Sequence, residues 1–154
     1  MSDTAELQDL YRELILDHAR APRNFGKLES ATHEAEGINP LCGDKLHIYV
    51  EVDDGRIGET RFEGSGCAIS VASASLLTET IAGLPVDAAE AYFETITTRL
   101  TQADSPSPLD DERLAKLQAL EGVRDYPSRV KCATLAWHAL HAALQNSTSP
   151  ATTE

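Results

Sequence analysis

Lys45-Leu46-His47-Ile48-Tyr49-Val50-Glu51-Val52 alternates without a break: Leu46, Ile48, Val50 and Val52 fall on one face, His47, Tyr49 and Glu51 on the other. A period of two over eight residues is the pattern of a half-buried strand with a polar outer face. Asp54-Gly55 follows, a pair that tolerates the positive φ of a two-residue hairpin turn. The residues from Arg56 to Glu63 are then expected to return antiparallel, and a third strand is expected before the pair, from about Ala31 to Ile38.

Working outward, the period changes to that of helices. Leu7, Leu10, Tyr11, Leu14 and Ile15 recur at helical spacing between Ala5 and Arg20, and Pro22, Asn24 and Gly26 end the run. Gly64-Ser65-Gly66 stops the second hairpin strand, and the Ala/Ser/Leu-rich segment from Cys67 to Ala82 reads as a helix closed by Gly83. Asp87 with Glu90 forms a capping box for a helix through Phe93, Ile96 and Leu100, broken at Ser105-Pro106-Ser107-Pro108. Leu114, Leu117 and Leu120 suggest a short helix. Ser128 is expected to cap a last helix carrying Val130, Ala133, Trp137, Leu140 and Leu144. The sum is an α+β domain, a small three-stranded antiparallel sheet packed with several helices. It spans residues 1–145 as one domain, with 146–154 a flexible polar tail.

Composition narrows the function classes. At 154 residues and 42% apolar content the chain suits one globular domain, and it has no apolar run long enough to cross a bilayer. A formal charge of −12 would repel nucleic acid phosphates and anionic headgroups, so neither nucleic acid nor membrane is an expected partner. The opening MSDTAELQD lacks the basic-then-apolar order of a signal peptide, so the expected compartment is the reducing cytoplasm. Three cysteines there point to metal or sulfur chemistry rather than a disulfide framework.

Those cysteines sit at element ends. Asn39-Pro40-Leu41-Cys42-Gly43-Asp44 is a turn leading into the alternating strand. A thiolate and a carboxylate separated by one glycine can converge on one ion, because glycine lets the backbone curl. Cys67 follows the hairpin, whose antiparallel return brings it toward the end of the sheet where Cys42 and Asp44 enter. A helix N-terminus at Cys67 favours the anionic thiolate needed for ligation and attack. Cys132, in the first turn of the last helix, completes three thiolates and one carboxylate, a set suited to zinc or an iron-sulfur cluster. Taken singly, each cysteine also fits a small buried hydrophobe, and the intervals match no familiar zinc-finger spacing.

NPLCGD, the hairpin ending in GSGCAIS, and RVKC entering a helix resemble, in that order, the three cysteine motifs of the IscU/SufU family of iron-sulfur cluster assembly proteins, which includes NifU N-terminal domains. LYRELILDHARAPRNFG is similar to that family's opening helix and loop, so the resemblance runs from about Leu10 to Leu144. Two features resemble the SufU branch. Lys131 stands immediately before Cys132, where IscU-type scaffolds carry a histidine, and Arg129 lies in the same motif. The long segment between Cys67 and Cys132, with its loop from Asp104 to Asp111, is similar to the insertion that distinguishes SufU.

The resemblance implies a zinc site of Cys42, Asp44, Cys67 and Cys132 and a role as sulfur acceptor for a SufS-type cysteine desulfurase, with downstream scaffolds or client proteins beyond it. Cys42 would be the acceptor: a desulfurase histidine takes its place on zinc, and the freed thiolate attacks the enzyme's persulfide sulfur. Arg129, three residues before Cys132, would offset the formal charge of about −2 that four anionic ligands leave around Zn²⁺. The alternative is a scaffold assembling a [2Fe-2S] cluster on the same thiolates for client proteins. Other residues attract less. His138 and His141 are expected to pack rather than ligate, His18 to fix the loop after the first helix, and His47 to support Asp44 from the strand's polar face.

Overall fold

A computed structural model describes residues 12–40, 43–101, 117, 120, 126–145 and 151–152. Helix α1 covers residues 12–20 and continues into a loop. Strands β1 (His33–Asn39), β2 (Asp44–Asp53) and β3 (Arg56–Ser65) follow, then helices α2 (Ala68–Ile81), α3 (Val86–Thr101) and α4 (Pro127–Leu144). The alternation in β2 builds the core as expected: Leu46, Ile48 and Val50 are buried toward the helices. Full burial of each contributes roughly 1.5–3 kcal/mol. Asp54 and Gly55 adopt φ of 53° and 77°, the paired positive values of a hairpin turn whose twist matches its strands.

β1 and β3 both pair antiparallel with β2. The expected three-stranded sheet carries one addition. A two-residue strand, β4 (Ala151–Thr152), lies parallel to β1 and extends the order to β3-β2-β1-β4. It falls within the segment whose composition suggests a tail.

α4 runs against β1 and β2 and touches α2 and α3 as well. Ala133, Leu135, Ala136, Trp137, Ala139 and Leu140 are all buried, so the helix is enclosed on most sides. α2 lies beside it and buries Ser70, Ser73, Ser75, Thr78 and Thr80 among its apolar residues. Each of these hydroxyls has a partner, and Ser73 Oγ donates to the Ala133 carbonyl of α4 at 2.5 Å. Short hydroxyl side chains thus let the two helices approach closely while their polar atoms stay satisfied.

Three local expectations change. α4 begins at Pro127 with Tyr126 as N-cap, so Ser128 lies inside the first turn; proline suits that position because it has no N–H to leave unpaired. α3 begins at Val86, which puts Asp87 in its first turn rather than before it, and Glu90 turns to α4, where its carboxylate meets His141 Nδ1 at 3.0 Å. Tyr49, expected on the polar face of β2, is buried and donates its hydroxyl to Glu63. Burial first, then the Glu63 carboxylate, push that phenol up to about 12. Leu7, Leu10, Tyr11, Leu114 and the 104–111 loop lie outside the described residues.

Candidate metal centre

One end of the sheet collects the candidate ligands. Asn39 pairs with Asp44 across β1 and β2, and Lys45 pairs with Ser65 across β2 and β3, so the β1–β2 connection and the exit of β3 lie at the same end, opposite the Asp54-Gly55 hairpin. The chain leaving β3 passes Asp44 at Gly66 and enters α2 with Cys67 as N-cap. Cys67 has no side-chain cap bond. Its backbone N–H donates instead to Asp44 Oδ1 at 2.8 Å, pairing a carboxylate with the positive end of the helix.

Cys132 approaches from α4. Because that helix starts at Pro127, Cys132 sits in its second turn rather than its first. It is 2% exposed, and its thiol donates to the Ser128 carbonyl at 3.5 Å. Cys67, by contrast, is exposed. A ligand oxygen of Asp44 and the sulfurs of Cys67 and Cys132 all lie within 4.8 Å of one another. Among the described residues this is the one group of three or more metal-ligating side chains. Cys42 lies outside the described residues.

The donor set fits a metal. A zinc ion with Zn–S near 2.3 Å and Zn–O near 2.0–2.2 Å holds its ligand atoms roughly 3.5–3.8 Å apart in tetrahedral geometry. Asp44 Oδ2 and Cys67 Sγ are 4.0 Å apart, close to that spacing. Two thiols with one carboxylate suit zinc or an iron-sulfur cluster better than a hard cation.

Two buried polar residues, neither of them a candidate by sequence pattern, complete the arrangement. Ser70 Oγ donates to Asp44 Oδ2 at 2.7 Å and lies 3.3 Å from the Cys132 carbonyl. Asn39 Nδ2 faces both Asp44 Oδ2 at 3.4 Å and Cys132 Sγ at 3.5 Å. Turning the Asn39 amide over would set its oxygen against a carboxylate, so the acceptors fix its orientation. Asn39 Oδ1 is buried with no partner among the described residues. The signal for Ser70 is its position three residues after Cys67, one helical turn along the same face. For Asn39 it is membership of the same turn as Asp44.

The remaining candidates separate. Arg129 is exposed in the first turn of α4, and among the described residues its side chain makes no hydrogen bond to Asp44, Cys67 or Cys132. His47 points away from the site and meets Glu34 at 3.0 Å, because it alternates with the inward Leu46 and Ile48. His138 and His141 pack on Phe93, edge-on and stacked respectively, as expected of packing residues. His18 is buried, with Nδ1 2.7 Å from Ser75 Oγ, and the same oxygen accepts the Arg23 N–H at 2.9 Å. It thereby fixes the loop after α1. No helix among the described residues is long and apolar enough to cross a membrane.

The fold and site define a class: a small α+β domain with a carboxylate and two thiols converging at one end of its sheet. Residues 10–133 match the family model of the NifU-like N terminal domain. The chain belongs to that family, whose members include the IscU and SufU iron-sulfur cluster assembly proteins. It is 37% identical to the zinc-dependent sulfurtransferase SufU of Bacillus subtilis, with 91% of this chain and 92% of the relative aligned. It is 38% identical to the iron-sulfur cluster assembly scaffold protein IscU of Thermotoga maritima, over 92% and 96% of the two chains. Its fold matches the crystal structure of the N-terminal part of a nitrogen-fixing NifU-like protein from Brucella abortus with a TM-score of 0.78, at 26% identity and covering 90% and 94% of the two chains.

Proposed function

We propose that this chain is a zinc-dependent sulfur acceptor and transfer protein for a SufS-type cysteine desulfurase in iron-sulfur cluster assembly, working in the cytoplasm as that enzyme's partner rather than as a stand-alone enzyme. The donor set carries the reading: Asp44, Cys67 and Cys132 converge within 4.8 Å, and the residue before Cys132 is Lys131 rather than a histidine. Likeness to the Bacillus subtilis zinc-dependent sulfurtransferase supports it.

In this reading Asp44, Cys67 and Cys132 are the anchored ligands, and Cys42, two residues before Asp44 in the sequence, is the labile fourth. Zinc, when bound, keeps its cysteine ligands in the thiolate form. Transfer is a thiol exchange. The Cys42 thiolate attacks the outer sulfur of the persulfide on the desulfurase; a new S–S bond forms as the old one breaks, the desulfurase cysteine leaves as a thiolate, and Cys42 carries the persulfide onward. A cysteine in a segment whose sequence reads as a turn is easier to release for this than Cys132, enclosed in α4. Arg129, exposed ahead of Cys132, offsets the negative charge gathered there.

A second reading, a scaffold that assembles a [2Fe-2S] cluster for clients, is favoured by the equal likeness to the Thermotoga maritima scaffold protein. Metal analysis and the visible spectrum of anaerobically purified, untagged protein separate the two. The expected result is close to one zinc per chain without visible absorption, together with loss of desulfurase stimulation in a folded Cys42→Ala variant. Iron with matching acid-labile sulfide would put the scaffold first, and full stimulation by Cys42→Ala would remove Cys42 as acceptor.

A further inference from the structure

Resting on the zinc reading above, we propose that Ser70 is a positioning residue for the metal centre, fixing the Asp44 carboxylate before the ion arrives. Both residues are buried, Asp44 at 1% exposure and Ser70 at 0%. Their two atoms are 2.7 Å apart, within the range of a hydroxyl-to-oxygen hydrogen bond. The two oxygens of Asp44 are held by different donors. Oδ1 takes the Cys67 N–H at 2.8 Å and Oδ2 takes the Ser70 hydroxyl. With both held, the carboxylate cannot rotate about its last bond, and Oδ2 stays on the side of Cys67 Sγ, 4.0 Å away.

Ser70 is also tied to each thiol-bearing element. Its oxygen lies 3.7 Å from Cys67 Sγ and 3.3 Å from the Cys132 carbonyl. A single hydroxyl proton serves one acceptor at a time, and Asp44 Oδ2 is the nearest. The hydroxyl therefore stands at the meeting of β2, α2 and α4, the three elements that supply the described ligands. Side chains that orient a ligand in this way typically change metal affinity 10–100-fold when removed.

Helix α2 supplies a control. Ser73, one turn further on, is buried like Ser70 and donates to a carbonyl of α4 at 2.5 Å, but it touches no ligand side chain. Ser70→Ala and Ser73→Ala thus delete chemically equal groups from the same helix interface, and only the first touches Asp44. Zinc affinity is measured by competition with a chromophoric chelator on wild type and both variants, beside the unfolding midpoint of each metal-free protein. Both variants are expected to lose stability. S73A is expected to bind zinc as wild type does, and S70A to bind it about 10–100-fold more weakly. If metal-free S70A does not hold its fold, the rates at which the zinc-loaded proteins lose metal to the chelator are compared instead, with S70A expected to be fastest. S70A and S73A equal in affinity or in loss rate, with zinc on the wild type, would overturn the positioning role alone. No zinc on the wild type would overturn the zinc reading and this inference with it.

Discussion

At the scale of single residues, the site depends on which buried atoms donate and which accept. Asn39 contributes two donor hydrogens between Asp44 Oδ2 and Cys132 Sγ, at 3.4 and 3.5 Å. Asn39→Asp keeps the shape and replaces the donor with an acceptor, setting a second carboxylate against Asp44 in a site that both residues share at 1% exposure or less. Leaving a buried charge uncompensated destabilises by about 3–5 kcal/mol. Metal-free Asn39→Asp is expected to unfold at much lower urea concentration than wild type, with a loss of that order, and a loss under about 1 kcal/mol would mean that the Asn39 amide does not govern this corner. The cysteines are legible in the sequence through the order of three motifs, NPLCGD, GSGCAIS and RVKC, since each thiol taken singly also fits a small buried hydrophobe. Asn39 and Ser70 are not, since a turn asparagine and a helix serine are ordinary on a surface. Their importance comes from burial, which tertiary packing creates. Arg129 differs from both: it is exposed in the first turn of α4 and, among the described residues, makes no hydrogen bond to the ligands, so an effect on them would act through space.

At the scale of elements, the passage from β3 into α2 delivers Cys67, and its two glycines act differently. Gly64 has φ of +136°, and a Cβ there would sit 2.2 Å from the Lys45 carbonyl oxygen, so Gly64→Ala strains the backbone and forces β2 and β3 apart. A loss of about 1–3 kcal/mol for the conformation alone, and more for the clash, is expected in a thermal melt. Gly66 has no such conformational demand. Its added Cβ would instead lie 2.5 Å from Asp44 Oδ1, displacing the carboxylate from the Cys67 N–H. Gly66→Ala is therefore expected to bind zinc about 10-fold more weakly or worse while unfolding at a higher temperature than Gly64→Ala. Gly58→Ala, whose Cβ would come closest to the far end of the flexible Glu51 side chain, at 2.7 Å, and only to ordinary contact distance of its backbone, serves as the mild comparison. If Gly66→Ala bound zinc like Gly58→Ala, the carboxylate would not depend on this passage. The hairpin itself is readable because period-two alternation and Asp54-Gly55 both encode local geometry. The starts of α3 and α4 differ from expectation by a residue or two, since Ser128 and Asp87 resemble caps in isolation, whereas packing of Glu90 on His141 and the proline at Pro127 set the true boundaries.

At the scale of the whole molecule, two effects act on every element together. The first is pH. His138 is held below the ordinary histidine value of 6.5, chiefly by burial and secondarily by His141. A base whose folded pKa is depressed binds fewer protons folded than unfolded, so stability is full above 6.5 and falls as pH drops below that value. Wild type is expected to lose melting temperature between pH 7 and pH 5 relative to His138→Gln, and parallel curves would show that the ring titrates as it does in the unfolded chain. The second is the metal. Asp44 opens β2, Cys67 caps α2 and Cys132 lies in α4, so one ion would add a common bond to three elements already held by packing and by the hydrogen bonds of Asp44, Ser70 and Ser73. A ligand that binds only the folded state at 100 times its dissociation constant stabilises by about 2.7 kcal/mol. For a chain of this length that corresponds to roughly 5–11 °C in the melting midpoint. Excess chelator is expected to lower the wild-type midpoint by that amount, whereas Cys67→Ser should begin near the lowered value and respond little. Cys67 is the informative ligand for this comparison because it is exposed, so its replacement by serine removes a metal bond without burying a new hydroxyl, as the same change at the buried Cys132 would. A wild-type midpoint indifferent to the chelator would mean that the protein's own packing and hydrogen bonds hold the sheet end together, and a Cys67→Ser protein that still responds in full would take that thiol out of the ligand set.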